Sequence, residues 1–292
     1  MPKAAHKNWK GSLDGTPWMH RALIWLARRF PLRLMYGVMA VSIPFYVLFD
    51  GRGRRASYSF FRRRIGYGRV KSALHVFSNM YNMGKVVIDR FAAYAGKKYR
   101  ITGDDRFLYD ALVPDGTYMM LSSHLGNFEL SGYMIPSPRP VKTLVYAGEN
   151  AQVMQQRSRM FSGCNIEMVP VKEDMSHLFA LNDALQNGEV VSVSADRALG
   201  SSKSVSCRFF GEDTLFPAGP FTLAVRRSAT VFAVFVVKEG PKDFRAIVEE
   251  LKAEGEGNAK VQSLAQAFAS ALERVARQYP DQWFNFFDFW AR

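Results

Sequence analysis

The chain has 292 residues, 48% hydrophobic and 14% aromatic, enough for a substantial core in one large domain or a domain with an appendage. Residues 1–71 hold 15 of the 39 Lys and Arg but only two of the 26 acids, Asp14 and Asp50, so the net charge of +13 sits in this quarter. The other 221 residues are neutral overall, which excludes a uniformly basic protein. Two cysteines, Cys164 and Cys207, make neither a disulfide framework nor a metal-ligand spacing, and five histidines form no HExxH-like cluster. A reducing compartment, no catalytic metal and no cofactor are expected.

Residues 1–20 are polar, with Gly11, Gly15 and Pro17, and read as a flexible tail. Residues 21–70 read as a basic, membrane-associating anchor segment. Within it, Leu34 to Phe49 runs 16 residues without a charge, bracketed by Arg28, Arg29 and Arg33 before and by Arg52, Arg54 and Arg55 after. A spanning helix needs about 20 apolar residues, and Pro44 interrupts this run. Basic residues flank both ends, so no crossing direction is set, and an interfacial or re-entrant anchor competes with a span. A late start and no small-residue cleavage site argue against a cleaved secretory signal. A buried core helix beside a solvated basic loop is the alternative. The Arg62–Arg64 run reads as a solvated face that also suits an anionic membrane or an acidic partner.

The remainder, residues 71–292, reads as the main folded domain. Residues 70–95 place Val70, Leu74, Phe77, Met80, Tyr81, Val87 and Phe91 on one helical stripe. From about residue 100, short apolar runs alternate with helical stretches. The predicted strands are Thr117–Leu121, Thr143–Tyr146, Ile166–Val171, Val190–Ser194, Val231–Val237 and Ala246–Leu251. The predicted helices are Phe128–Met134, Gln152–Ser162, Met175–Gln186, Phe221–Arg227 and Lys260–Gln278. Asp174 is the expected N-cap and Gly188 the expected stop of the third helix. The expectation is an α/β fold with a mixed central sheet flanked by helices.

Ligands in such folds collect at the carboxyl ends of strands. Two polar groupings lie there: His124-Leu125-Gly126-Asn127-Phe128-Glu129 after one strand, and Asp196-Arg197 after another. Imidazole takes a proton near neutral pH, and a carboxylate can fix its tautomer. With no obvious nucleophile beside it, such a base suits a substrate that brings its own hydroxyl or amine. A satisfied structural histidine is the competing reading, and the presence of two polar strand ends weighs against it. His75 and His177 read as packing or helix-start residues.

The order of these blocks resembles one family. After H-x-x-x-x-E come Ala184-Leu185-Gln186-Asn187-Gly188-Glu189-Val190-Val191, Ala195-Asp196-Arg197, Ser204-Val205-Ser206-Cys207-Arg208-Phe209-Phe210-Gly211 and Gly219-Pro220-Phe221-Thr222-Leu223-Ala224. The chain is similar, over roughly residues 20–285, to the bacterial lipid A late acyltransferases (lauroyl and myristoyl transferases) of the lysophospholipid acyltransferase superfamily. The resemblance implies a glycerol-phosphate or lysophospholipid acyltransferase-like fold with an N-terminal hydrophobic helix at the cytoplasmic face of a bacterial inner membrane. It implies fatty acyl transfer from acyl carrier protein, or coenzyme A, to a hydroxyl of a lipid or glycolipid acceptor, with anionic membrane lipids as partners. His124 would be the general base and Glu129 the residue orienting it. Asp196 and Arg197, with Arg157 or Arg159, would contact substrate. Gly126 and Asn127 are candidate oxyanion donors, and Asn127 is counted with the substrate-binding residues.

The sequence departs from that pattern at Arg197, beside the aspartate, and in the aromatic, acidic stretch Asp281–Trp290, which reads as a core strand ahead of an acceptor site. In Leu215-Phe216-Pro217-Ala218-Gly219, Ala218 replaces the acid of a glycerol-phosphate acyltransferase block. An acceptor other than a lipid A precursor, such as an aminolipid or a polyene lipid, therefore stays open. So does a non-catalytic membrane-associated lipid-binding protein. A nucleic-acid-binding module fits poorly with the 16-residue uncharged run, and no nucleic-acid partner is expected.

Overall fold

The structure, a computed structural model, describes residues 17–128, 130–145, 165–171, 176–197 and 203–290. The predicted helix Gln152–Ser162, the cap Asp174 and the residues Glu129, Arg157 and Arg159 lie outside the described residues.

Seven strands form one sheet: β1 (Arg100–Gly103), β2 (Tyr118–Ser122), β3 (Val141–Val145), β4 (Ile166–Pro170), β5 (Val190–Ser194), β8 (Thr230–Lys238) and β9 (Asp243–Leu251), in the order β1-β9-β8-β2-β5-β3-β4. From β8 to β4 all neighbours are parallel, β9 is antiparallel to β8, and β1 is parallel to β9. The architecture is the expected mixed α/β sheet, with one reversed edge. The interior strand β8, Thr-Val-Phe-Ala-Val-Phe-Val-Val-Lys, is buried from Val231 to Val237, as a strand covered on both faces must be.

Side chains alternate across the sheet. Met119, Leu121, Val191, Val193, Ala233 and Phe235 enter the main core. There they meet α7 (Ser176–Gln186), α8 (Ala218–Arg226) and α9 (Gly257–Gln278), the last through Leu264, Phe268 and Leu272. Tyr118, Val190, Phe232 and Val234 face the other way, onto Leu108 and Leu112 at α5 (Asp105–Ala111). Gly188, at φ +73°, follows the end of α7, and the Glu189 amide donates to Ala184 O at 3.0 Å, so the helix stops where its glycine predicts.

The N-terminal part is helical: α1 (Pro17–Arg29), α2 (Leu32–Phe49), α3 (Gly51–Ser59), a π-helical turn (Phe60–Arg64) and the 26-residue α4 (Arg69–Tyr94). Asp50 caps α3 by accepting from Gly53 N at 2.9 Å. Ala27, Leu32, Tyr36, Ile88 and Ala92 pack α1 and α2 onto α4. The outer side of α2 stays bare, with Val38, Val41, Phe45 and Phe49 between 62% and 86% exposed. This helix has the composition and 18-residue length of a candidate membrane span, and only 22% of it is buried.

Three elements go beyond the expectations. The short, largely exposed β1 carries little apolar signal. β6 (Ser204–Phe209) and β7 (Glu212–Pro217) form a separate antiparallel hairpin, turning at Phe210 and Gly211, both at positive φ. The stretch 283–290, expected as a core strand, is core without being a strand. Trp283, Phe284 and Phe289 are buried, but only Trp283 makes a bridge, to Leu125. Rings of Phe60, Phe209, Phe210, Phe216 and Trp290 surround Trp283 and Phe289, so aromatic packing replaces a ladder.

Candidate active site

Two adjacent parallel strands build the site. Ser122 of β2 is in register with Ser194 of β5, and the ladder continues through Ala195 N to Ser122 O at 2.9 Å. His124 and Asp196 lie two residues beyond that last pair, so they face each other across the seam. Asp196 receives the ring of His124 at Nδ1, 2.9 Å from Oδ1, and the backbone N–H of His124, 2.9 Å from Oδ2. The Asp196 side chain is 1% exposed and that of His124 is 22% exposed.

Burial opposes the charge on Asp196, but the His124 ring, its backbone N–H and the Arg197 guanidinium outweigh it and hold the carboxyl below its usual range. An ionised carboxylate only accepts, so the proton sits on Nδ1 and the basic lone pair on Nε2. Arg197 donates to Phe284 O at 2.6 Å and lies over the Phe287 ring, tying the β5 end to the C-terminal aromatic stretch. Burial lowers its pKa, against the pull of Asp196.

Three backbone hydrogen bonds hold the turn that carries His124. Phe284 N donates to His124 O at 2.9 Å, Gly126 N to Gln282 O at 2.7 Å and Asn127 N to Val236 O at 2.6 Å. Gly126 adopts φ +67°, and a Cβ there would lie 2.1 Å from Val236 O, so glycine is required. These bonds correct one expectation. The Gly126 and Asn127 amides already donate to protein carbonyls, so they are not oxyanion donors. Asn127 is fully buried; its side chain donates to Asp89 Oδ2 at 3.2 Å and accepts from Leu130 N at 3.3 Å. It braces the turn from inside.

The structure thus joins His124 to Asp196 and sets Arg197 beside them. His75 is half-buried, bonded to Asp281 Oδ1 at 2.6 Å and packed against Phe61 and Tyr67, while His177 is buried on α7. Sequence reasoning passed over Gln282, which clamps the turn to β8: its side chain accepts from Lys238 N at 2.8 Å and donates to Lys238 O at 2.9 Å, while its own carbonyl holds Gly126. A polar glutamine before an aromatic run carries no signal that would single it out.

The family model described as bacterial lipid A biosynthesis acyltransferase matches residues 80–292. The chain belongs to this family. The match takes in the His124 turn, the Asp196 strand end and the aromatic C-terminus. Among curated proteins, the chain is 26% identical over 179 residues to the phosphatidylinositol mannoside acyltransferase of Mycolicibacterium smegmatis. That alignment covers 60% of this chain and 57% of the relative, so the chain spans a little over half of that relative's length. Among solved structures, the 1-acyl-sn-glycerophosphate acyltransferase PlsC of Thermotoga maritima matches 84% of this chain and 97% of its own, with a TM-score of 0.38 and 9% identity.

Proposed function

We propose that this protein is a membrane-associated acyltransferase that moves a fatty acyl chain from an acyl thioester to a hydroxyl of a lipid or glycolipid acceptor. The observation that carries the reading is the His124–Asp196 pair at the ends of β2 and β5, in a chain of the lipid A acyltransferase family.

The chemistry follows from the tautomer. Nε2 of His124 takes the proton of the acceptor hydroxyl as its oxygen attacks the thioester carbonyl. The tetrahedral intermediate collapses with cleavage of the C–S bond, and the thiolate leaves with the proton from the imidazolium. The products are an ester and a free thiol, and no redox step or covalent enzyme intermediate is needed. Asp196 fixes the ring and stabilises its charged form. A positioned base of this kind contributes about 10²–10⁴-fold. Glu129 is proposed as the second acid of the site, and Arg157 or Arg159 as a substrate contact.

Residues 21–70 are proposed as the membrane-docking segment and residues 71–292 as the catalytic domain. The exposed apolar side of α2, with Arg28, Arg29, Arg33, Arg52 and Arg55 exposed around it, supports seating on an anionic leaflet. The cytoplasmic face of a bacterial inner membrane is the proposed location, where acyl carrier protein, an acidic donor suited to the basic N-terminal quarter, is available. A mannolipid acceptor, as the mycobacterial relative's name describes for that protein, joins lipid A precursors among the proposed acceptors.

The test is transfer of labelled acyl groups from acyl carrier protein, or from coenzyme A, to a host lipid extract by the detergent-solubilised protein. Labelled lipid with wild type, lost in His124→Ala, supports the reading, and mass spectrometry of the product names the acceptor. No transfer from either donor by folded protein would move the reading to a lipid-binding protein.

A further inference from the structure

A second buried polar cluster lies behind the His124 turn, and the reaction chemistry leaves it unused. Its centre is Asp89 of α4, fully buried. One carboxylate oxygen, Oδ2, accepts from Asn127 Nδ2 at 3.2 Å and from Lys238 Nζ at 2.9 Å. The other, Oδ1, accepts from the hydroxyl of Tyr36 on α2. Tyr99 donates to Asp89 O at 2.9 Å, and Lys238 also donates to Pro241 O at 3.1 Å.

A buried carboxylate is costly to leave short of donors, so these groups are held in one arrangement. Each donor comes from a different part of the chain. Asn127 belongs to the turn that carries His124, Lys238 ends β8 and is gripped by Gln282, and Tyr36 is the inward face of the bare apolar helix. Among the described residues, the Asn127 amide donates to Asp89, and its oxygen caps Leu130 N. The path from the apolar helix to the base is therefore Tyr36, Asp89, Asn127 and the backbone of Gly126 and Leu125.

We propose that Asp89 is a positioning residue for the base: it joins α2, through Tyr36, to the His124 turn, through Asn127, so that the seating of the apolar helix sets the orientation of the His124 ring. The proposal rests on the acyltransferase reading for its kinetic arm alone. Displacing α2 from α4 removes the Tyr36 donor, unbalances Asp89 and loosens the bond that holds Asn127. A misplacement of about 1 Å at a reacting group costs about 10²-fold in rate.

The test compares Asp89→Asn and Tyr36→Phe with Leu108→Ala, a packing variant on α5 in the other core cluster, outside the α2–α4 contact. Ring-¹⁵N histidine labelling of the full chain in detergent reports the His124 nitrogens, identified by their loss in His124→Gln, and acyl transfer is measured in parallel. The expected result is a shifted His124 Nδ1 resonance in both cluster variants and not in Leu108→Ala. The expected kcat falls about tenfold or more in Asp89→Asn and a few-fold in Tyr36→Phe, with donor KM within about twofold. If Asp89→Asn does not fold, Tyr36→Phe decides, since it removes one hydroxyl and leaves the Asp89–Lys238 pair. Unmoved His124 resonances in a folded cluster variant would overturn the proposal, as would equal shifts in Leu108→Ala. If wild type transfers no acyl group, the acyltransferase reading fails and the resonances alone decide this one.

Discussion

His124 and Asp196 are 72 positions apart in the chain and share two hydrogen bonds, one from the ring and one from the backbone N–H. The double contact means that Asp196 fixes the place of the residue as well as the tautomer of its ring. Asp196→Asn is expected to keep the fold and to let the ring adopt the wrong tautomer, since an amide can present N–H to Nδ1. Loss of kcat by about 10²–10⁴-fold with little change in donor KM is the expected outcome. Steady-state transfer kinetics check it, with Glu129→Gln beside it to apportion the two acids.

The same pair makes a pH prediction. The folded pKa of Asp196 is held below its ordinary value of 3.8, so the unfolded chain binds more protons in that window and stability rises with pH through it. The contribution is complete above 3.8 and is lost as pH falls through the lowered folded value. The melting-temperature difference between wild type and Asp196→Asn should therefore be level from neutral pH down to about 4 and narrow below it. Asp89 works in the opposite sense, because burial raises its pKa and favours the protonated form on folding. Measuring the difference between variants removes that background.

Gly126→Ala tests the turn. The methyl would meet Val236 O at 2.1 Å and would need φ +67°, so the turn must shift away from β8. A cost of about 1–3 kcal/mol from backbone strain is expected, with a loss of kcat larger than the stability loss explains. Thermal unfolding and transfer assays on the same preparation separate the two.

Much of this arrangement is legible in the sequence, and the limits have physical causes. Val190–Ser194 is predicted to the residue because a short run of valines between Gly188 and Asp196 admits little else. His124 and Asp196 both stand out as polar groups just beyond apolar strands. Their partnership does not, because it depends on β2 lying beside β5 with Ser122 opposite Ser194, and strand order is a property of the whole sheet. Asn127 misleads for a related reason: a polar residue beside a base suggests a substrate contact, whereas its buried partner, Asp89, is supplied by a helix 38 residues upstream. The aromatic C-terminus reads correctly as core, but the hairpin β6–β7 that it packs on is hidden by alternating exposed polar residues such as Ser204, Ser206 and Arg208.

The docking segment should respond to charge and to apolar area separately. Replacing Arg28, Arg29 and Arg33 by Gln is expected to weaken binding to vesicles containing anionic lipid by about 1 kcal/mol for each residue that reaches the surface, roughly fivefold apiece, and to have little effect on zwitterionic vesicles. Phe45→Ser with Phe49→Ser removes side chains 62% and 86% exposed and should weaken binding to both. Vesicle co-sedimentation at two salt concentrations checks it, since only the arginine contribution is screened. Full binding by the phenylalanine variant would point away from α2 as the inserted element.

Cys207 offers a probe of the core that needs no substrate. It lies on β6 opposite Thr214 and is 1% exposed, and burial pushes its thiol up to about 12. The thiolate is the reactive form, so at pH 8 the native thiol should react with Ellman's reagent only when the hairpin opens. In a Cys164→Ser background, the expected trace is slow labelling of the native protein and one prompt equivalent in 6 M urea, a condition on the order of complete unfolding for a domain of this size. Linkage gives the sign at high pH: the folded chain holds the thiol proton up to about 12 and the unfolded chain only to 9.0, so this group lowers stability as pH rises through that interval. Cys207→Ala should blunt that alkaline loss, which urea midpoints at pH 8 and pH 10 measure. Prompt labelling of the native protein at pH 8 would mean that the β6–β7 hairpin is not seated on the core as described.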